Sequence, residues 1–284
     1  MQKSLIVKTS FIELAALVSG PDDAPPVLAL HGWLDNAPAF SRLAPLLPEL
    51  RLIAVDLPGH GHSDHRPAGI HYHFIDYVQD VLAVADSLGW QQFALLGHSL
   101  GAGIASFVAA VAPQRITRLA LIEGLGPLNG DPADNPAASA RAFGQMLGTS
   151  GKNRPVYDSL DQAIDARHRA GELSWQAAAI LTERNTRPIE GGIGWRSDPR
   201  VRFKSPLYLS ESQILAYLAC IKSPTLLFRG QSGYLIDRAN MTERYRQVDD
   251  LTVVDLPGSH HLHLEDPAPV AGVINQFLVR GVTG

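Results

Sequence analysis

Short apolar runs alternate with amphipathic stretches along the first 126 residues of the chain. Two short strands are predicted at residues 5–7 and 12–18, before longer buried runs at 26–30, 50–55, 93–96 and 119–122. Apolar residues recur every three or four positions over 74–88, and small residues fill 101–112, so both segments predict helices. This alternation is typical of an α/β fold, in which a mostly parallel sheet carries helices on both faces.

The pattern changes over residues 127–206, where Gly, Pro, Asn and Arg are frequent and no apolar run has the character of a buried strand. We interpret this stretch as a helical cap inserted into a core made of residues 1–126 and 207–284. The core sheet resumes with apolar runs at 225–228 and 251–256. Ligands bind beyond the carboxyl ends of the strands in such sheets, so we expect the cap to determine the substrate.

Helix-start signals mark both the cap and the returning core. Ser159 and Ser210 each have a glutamine three residues later, the spacing of a capping box, which predicts a helix start at both places. Asp266 followed by Pro267 predicts the start of the last helix, with proline at its first position.

Composition narrows the class of protein. The 284 residues carry a formal net charge of −4, with 45% hydrophobic and 18% charged residues, as in an ordinary globular protein. This charge gives no reason to expect nucleic acid or an anionic membrane as a partner. No apolar run reaches the ~18 residues of a membrane span, and Lys8 and Glu13 interrupt any leader-like segment. The single cysteine, Cys220, excludes an internal disulfide and is expected to be a small buried side chain. We therefore expect a cytoplasmic protein.

The pentapeptide from Gly97 to Gly101 has the pattern G-x-S-x-G, with Ser99 at its centre, between a predicted strand and a predicted helix. In that context the pattern predicts a nucleophile elbow, a turn so tight that its flanking positions require glycine. The serine hydroxyl then lies at a helix N-terminus, where developing negative charge is stabilised. We expect Ser99 to be a nucleophile in acyl transfer.

A serine nucleophile needs a base to take its proton and N–H donors to hold the oxyanion. His260 follows the last predicted strand and is the candidate base, with His261 and His263 as neighbouring competitors. The candidate oxyanion donors are the backbone N–H of Leu100, directly after the nucleophile, and that of Trp33, in the loop after the third predicted strand.

A metal-dependent alternative arises from residues 60–65. His60, His62, Asp64 and His65 fit the H-x-H-x-D-H ligand spacing of some zinc hydrolases. The same residues lie in the loop that an α/β sheet of this kind needs after its fourth strand, so we favour a site without metal. The alternative predicts activity that a chelator removes.

The chain resembles the α/β-hydrolase fold superfamily over nearly its whole length. The resemblance rests on four motifs: His31-Gly32-Trp33, the run from Asp56 to Ser63, the elbow around Ser99, and Gly258-Ser259-His260. A narrower resemblance to the serine hydrolase-like proteins of that superfamily rests on residues 122–127, 195–200 and 210–213. It implies a hydrolase that needs no cofactor, and the spacing from His260 to the segment 265–267 implies that His260 is its base.

The usual acid position of this family, three residues after the glycine that ends the strand at 225–228, is Gly233 in this chain. Two carboxylates are candidate replacements: Glu123, at the end of the strand at 119–122, and Asp237, four residues after Gly233. Some α/β-hydrolases, including the haloalkane dehalogenase group, place their acid at the strand end that Glu123 occupies, so we favour Glu123. If neither acid serves, the chain is a ligand-binding protein with slow or absent turnover.

The expected function is therefore hydrolysis of small carboxylic esters or related acyl compounds, with a small-molecule acyl substrate as partner. The cap supplies apolar side chains that predict the walls of a pocket: Phe143, Met146, Trp175, Ile180 and Trp195. It also contains Arg167, Arg184, Arg187 and Arg196. These arginines either give the pocket a cationic edge that suits an acid-bearing substrate or lie on solvated helix faces, and the sequence leaves both possibilities open.

Overall fold

A central sheet, together with one separate hairpin, contains the strands of the structure, a computed structural model that describes residues 2–148, 155–235 and 238–279. The strands in those ranges are β1 (Lys3–Lys8), β2 (Glu13–Ser19), β3 (Pro26–Leu30), β4 (Arg51–Val55), β5 (Phe93–His98), β6 (Ile116–Ile122), β7 (Thr186–Ile189), β8 (Gly192–Trp195), β9 (Thr225–Gly230) and β10 (Leu251–Leu256). The sheet order is β1-β2-β4-β3-β5-β6-β9-β10, and β7 pairs with β8. The pairs β1–β2 and β2–β4 are antiparallel and the other pairs of the sheet are parallel, which confirms the predicted α/β class.

Helices connect the strands. Within the same ranges they are α1 (Phe74–Ser87), α2 (Leu100–Val111), α3 (Asn135–Leu147), α4 (Leu160–Ala170), α5 (Trp175–Asn185), α6 (Glu211–Leu218), α7 (Met241–Gln247), α8 (Leu262–Glu265) and α9 (Pro267–Leu278). None of the helices described here combines the length and the apolar character needed to cross a bilayer.

The sheet has an apolar core on each face, because successive side chains of a strand point to opposite sides. In β3, Leu28 and Leu30 join the cluster that packs against α1 and α2, whereas Val27 and Ala29 join the cluster that packs against α9. The parallel strands are therefore buried on both faces, and their carboxyl ends meet at one edge of the sheet. That edge is where the functional residues are expected.

Residues 127–206 contain α3, α4 and α5, of which α4 begins at the predicted start after Ser159, and also the β7–β8 hairpin, which the sequence did not predict. The hairpin turns at Gly191 and Gly192, whose φ angles of 82° and 148° favour glycine. Its strands are four residues long and contain Arg187 and Pro188, so they lack the apolar run that identifies a buried strand. A two-stranded ribbon of this kind leaves little signal in the sequence.

The capping signals are formed to different degrees. At Ser210 the capping box is complete, with Gln213 bonding back to the N-cap backbone. At Ser159 the serine hydroxyl accepts the Gln162 N–H, but the Gln162 side chain accepts from Asp158 instead of returning to the cap.

The predicted start of the last helix is confirmed, whereas another local prediction is wrong. α9 begins at Pro267 with Asp266 at its N-cap position, although the Asp266 side chain makes no capping hydrogen bond. Cys220, expected to be buried, is exposed, because the buried face of α6 is provided by Ile214 and Leu218 and the cysteine lies beyond the end of that helix.

Candidate active site

Ser99 lies in a sharp turn between β5 and α2, at the carboxyl edge of the sheet. Its φ of 53° and ψ of −113° form a strained conformation for a residue with a side chain. The turn is closed on both sides by glycine: a Cβ at Gly101 would overlap the carbonyl oxygen of Leu30, and a Cβ at Gly97 would press against the start of α2. The geometry is that of the predicted elbow, which holds a serine at a helix N-terminus.

His260 lies in the loop between β10 and α8 and is only 7% exposed. His98 Nε2 donates to its carbonyl oxygen at 2.9 Å, and the Tyr234 ring stacks on its imidazole with 4.0 Å between centroids. Burial lowers the pKa of His260 below its ordinary value, while the hydrogen bond to Glu123 acts in the opposite direction. The imidazole is therefore neutral near pH 7, the form that a general base needs.

Glu123 directly follows β6, with its carboxylate buried at 2% exposure. His260 Nδ1 lies 3.4 Å from Glu123 Oε2. The backbone N–H of Gly230 donates to Oε1 at 2.7 Å and that of Tyr234 donates to Oε2 at 2.6 Å. These donors hold the carboxylate in one orientation toward the imidazole.

Gly233 leaves the space that the carboxylate of Glu123 occupies beside His260. A Cβ built on Gly233 would overlap the carboxylate of Glu123. The usual acid position of the family is thus occupied in space by a carboxylate that enters from a different strand. Asp237, the other candidate acid, lies outside the described residues.

The predicted oxyanion donors, Trp33 and Leu100, face the same cavity as Ser99 and His260. Their backbone N–H groups make no hydrogen bond within the described part of the chain, so both remain available to a ligand. The indole of Trp33 donates to the carbonyl of Val201 at 2.8 Å, which fixes the ring without using the backbone donor. Ser99 Oγ makes no direct hydrogen bond to His260 among the described contacts, and such contacts are often longer without substrate.

Backbone strain is concentrated at this site. Among the described residues, the non-glycine residues with positive φ are Leu34, Ser99 and Glu123, at 63°, 53° and 53°. They belong respectively to the loop of Trp33, to the elbow and to the end of β6. Strained residues of this kind cluster where a fold positions functional groups.

A second buried carboxylate, Asp35, lies behind the elbow. His261 Nε2 donates to its Oδ2 at 3.1 Å, and Arg167 from α4 donates to its Oδ1 at 2.7 Å. His98 Nδ1 lies 3.6 Å from Oδ2. Burial acts against the charged form, but the contacts with His261, His98 and Arg167 hold the pKa of Asp35 well below its usual range.

His263, the remaining competitor for the role of base, is fully buried against the ring of His98 with 4.4 Å between centroids. Of the three neighbouring histidines, only His260 faces Glu123.

The histidines of the predicted metal alternative are not brought together. His60 is buried against His31 and bonds the carbonyl of Pro58, whereas His65 lies against Asp198. In the described ranges, the one group of His and Asp side chains close enough to share an ion is Asp35, His98 and His261. The guanidinium of Arg167 already pairs with that carboxylate, so the group is engaged within the protein.

Two cavities meet at Ser99, with volumes of about 470 Å³ and 960 Å³. Six residues line both of them: Trp33, Ser99, Arg202, Phe203, Tyr234 and His260. The apolar walls of the smaller cavity include Phe74, Leu128, Leu207 and Met241. Of the apolar cap residues predicted to line a pocket, Trp195 lines the larger cavity, whereas Phe143 and Trp175 are about half exposed.

The predicted cap arginines mostly serve the protein itself. Arg167 pairs with Asp35, and Arg184 donates to the buried Asp56 at 2.8 Å. Arg196 donates to the carbonyl of Thr186. Arg187 is exposed on β7 and lines neither cavity. The cation at the junction of the cavities is Arg202, which the sequence interpretation missed because it lies two residues beyond the motif at 195–200.

Comparison with known proteins agrees with this geometry. Residues 25–267 match the family model described as alpha/beta hydrolase fold. A serine hydrolase-like protein of Danio rerio is 33% identical over 279 residues, which cover 94% of this chain and 85% of that protein. The solved structure of a hypothetical protein of Pseudomonas aeruginosa PAO1 superposes with a TM-score of 0.93 at 43% identity, covering 98% of this chain and 99% of that one.

A thioesterase domain from the curacin biosynthetic pathway is also similar, with a TM-score of 0.86 and 28% identity over 96% of this chain and 99% of that one. The family match and the extent of the sequence similarity confirm the resemblance seen in the motifs. This chain belongs to the α/β-hydrolase fold superfamily, and within it to the serine hydrolase-like subgroup.

Proposed function

We propose that this protein is a serine hydrolase that cleaves small carboxylic esters or related acyl compounds, such as thioesters, through an acyl-enzyme at Ser99. Ser99 Oγ attacks the carbonyl carbon while His260 takes its proton, and the N–H groups of Trp33 and Leu100 stabilise the oxyanion. His260 then protonates the leaving group. Water attacks the acyl-enzyme with His260 again as base, and Ser99 is released.

The observation that carries the proposal is the replacement of the usual acid by a carboxylate from another strand. His260 Nδ1 faces Glu123 Oε2, and Gly233 leaves the space that this carboxylate fills. A buried carboxylate in that position selects the tautomer of His260 that can accept a proton from serine and stabilises the imidazolium that forms. Glu123 therefore takes the role of triad acid in this proposal.

The same observation weighs against a ligand-binding protein without turnover. That alternative drew its support from the missing carboxylate at position 233. The space at that position contains the carboxylate of Glu123, and Ser99 retains the strained backbone of an elbow.

The two cavities support a substrate with two unequal parts. A carbonyl bound at Ser99 lies where the cavities meet, so the acyl group and the leaving group extend into different ones. The smaller cavity is mainly apolar and suits the acyl chain. The larger one contains polar groups such as Tyr157 and Asn185 and suits a polar leaving group. The thioesterase named among the relatives adds support for a thioester as one form of the substrate.

The test is hydrolysis of a p-nitrophenyl ester series from acetate to decanoate, by the wild type and by Ser99→Ala. We expect turnover by the wild type that Ser99→Ala abolishes, and a fluorophosphonate probe that adds once to the wild type and not to the variant. The chain length with the highest kcat/KM then reports the depth of the smaller cavity. Hydrolysis that survives in Ser99→Ala, or a Ser99 that the probe does not label, overturns the proposal.

A further inference from the structure

The junction of the two cavities contains a positive charge that the hydrolytic machinery does not use. Arg202 lines both cavities, next to Ser99, His260 and Trp33. Its guanidinium makes no ion pair or hydrogen bond in the described part of the chain. Two other arginines that line the cavities, Arg167 and Arg244, differ from Arg202 because each is paired with a carboxylate of the protein.

The backbone that carries Arg202 is fixed to the core. The indole of Trp33 donates to the carbonyl of Val201 at 2.8 Å, and the N–H of Asp198 donates to the carbonyl of Gly59 at 2.8 Å. The Asp198 carboxylate also accepts from Tyr72 at 3.0 Å. A free guanidinium on a fixed backbone, beside a candidate oxyanion donor, is placed to bind a group of the substrate.

The charges of the smaller cavity favour an anion. Beside Arg202, the cations Lys204 and Arg238 line it, and neither has an ion-pair partner among the described residues. The only carboxylate of the described lining is Glu123, which is committed to His260. The larger cavity differs, because the exposed Glu172 lies there. An anion is therefore better accommodated on the side of the smaller cavity.

The environment of Arg202 leaves part of its charge without compensation. Partial burial and the positive charge of nearby Arg167 lower the pKa of Arg202 from its usual value, although an arginine remains protonated at neutral pH. A carboxylate bound there would relieve this repulsion and form charge-assisted hydrogen bonds, in a bidentate geometry that suits guanidinium.

We propose that Arg202 is a specificity-determining residue that binds a carboxylate in the acyl part of the substrate, so that the preferred substrates are anionic acyl compounds. This inference rests on the proposed serine hydrolase function and adds the class of substrate to it. The acyl chain occupies the smaller, apolar cavity, and its carboxylate lies at the edge where Arg202 and Lys204 meet solvent.

Three esters of matched size test the inference: p-nitrophenyl hexanoate, mono-p-nitrophenyl adipate, which adds a carboxylate to the acyl chain, and 3-carboxy-4-nitrophenyl hexanoate, which adds it to the leaving group. In Arg202→Met, we expect kcat/KM for the adipate ester to fall by about ten- to a hundredfold, the loss of one charge-assisted interaction. For p-nitrophenyl hexanoate it should change by less than about threefold. Arg202→Lys keeps the charge without the planar fork and should lie between.

Arg187→Met is the matched control, because Arg187 lies in the same inserted region and lines neither cavity. Arg187→Met should leave kcat/KM unchanged for all three esters. The hexanoate rate also reports whether each variant is folded. The inference is overturned if Arg202→Met slows all three esters equally, if it spares the adipate ester, or if its effect is confined to the leaving-group carboxylate. None of these results contradicts the proposed function, which is tested separately by the loss of hexanoate hydrolysis in Ser99→Ala. The proposed function fails only if hexanoate hydrolysis does not depend on Ser99.

Discussion

His260 and His261 are neighbours in the chain and each faces a buried carboxylate, yet their surroundings differ in one respect. Glu123, beside His260, is held by the N–H groups of Gly230 and Tyr234 and pairs with no arginine or lysine among the described residues. Asp35, beside His261, is paired with the guanidinium of Arg167 at 2.7 Å.

We propose that this difference separates a catalytic pair, Glu123 and His260, from a structural one, Asp35 and His261. A carboxylate held by neutral donors keeps its negative charge available for an imidazolium that forms during reaction. A carboxylate paired with arginine has its charge compensated at all times, and its hydrogen bonds join the parts of the fold around it. Asp35 connects α4 to the loop of Trp33, to the elbow through His98 and to the histidine loop through His261.

The largest expected effect comes from displacing the carboxylate of Glu123, the proposed triad acid. Gly233→Asp places a side chain where the Glu123 carboxylate lies, so kcat should fall by on the order of 10³–10⁴, the scale for loss of a triad acid. In Glu123→Gly with Gly233→Asp, the new carboxylate has room to reach His260, and Gly tolerates the positive φ at position 123. Activity of the double variant should exceed that of Gly233→Asp by about tenfold or more, since the two changes are coupled.

Gly144→Asp is the control for that experiment, because a Cβ at Gly144 meets only open space. It should retain the wild-type kcat. Wild-type activity in Gly233→Asp would show that Glu123 need not occupy its observed position.

Breaking the ion pair between Asp35 and Arg167 should lower the stability of the protein more than it lowers kcat. Asp35→Asn leaves Arg167, with 18% side-chain exposure, without its carboxylate. We expect the free energy of unfolding to fall by about 3 kcal/mol, as for a broken buried ion pair, which lowers the Tm by roughly 6–12 °C. At a temperature where the variant is folded, kcat should fall by no more than about tenfold, since the triad acid remains.

Thermal unfolding and ester kinetics on the same samples separate these effects. Arg167→Met should lower the Tm similarly, and the double variant should lose much less than the sum of the two losses. A loss of kcat in Asp35→Asn as large as that expected for a triad acid would remove the distinction between the two carboxylates.

The smallest effect is a shift in pH dependence. Burial lowers the pKa of His260 from its usual value, so the acid limb of kcat/KM should lie below pH 6.5. Glu123 acts to raise this pKa, so the residual activity of Glu123→Gln should have its limb at still lower pH. Asp35→Asn should move the limb less, because Asp35 contributes more weakly in the same direction. A limb that moves upward in Glu123→Gln would contradict the assignment.

The fold and the elbow could be predicted because their signals are local. Apolar runs of four to seven residues identify strands, and Gly97 and Gly101 flank Ser99 because the backbone approaches too closely for a side chain. Glu123 could be proposed because it ends a strand whose carboxyl end faces the site. The role of Gly233 could not be predicted from the sequence. A glycine at the usual acid position can be interpreted only when the group that occupies the free space, here the carboxylate of Glu123, is known.

The partners of the cap arginines could not be predicted either. Arg167 and Asp35 are 132 residues apart in the chain, and Arg184 and Asp56 are 128 apart. No sequence periodicity connects residues so far apart. In the sequence, arginines that bind a substrate cannot be distinguished from arginines that pair with a carboxylate of the core. Arg202 differs from Arg167 and Arg184 because its guanidinium has no partner in the described part of the chain, and that difference is visible only in three dimensions.

The central claim is that Glu123 orients the catalytic histidine, and the kcat of Glu123→Gln measured beside that of Asp237→Asn tests it most directly. The account predicts that Glu123→Gln loses on the order of 10⁴ in kcat, as for other triad acids, while the fluorophosphonate still shows a folded site by slow labelling. Asp237→Asn should remain within about threefold of the wild type, because in this account the carboxylate that faces His260 belongs to Glu123. If Asp237→Asn alone loses activity on that scale and Glu123→Gln does not, the acid is Asp237 and the account is wrong.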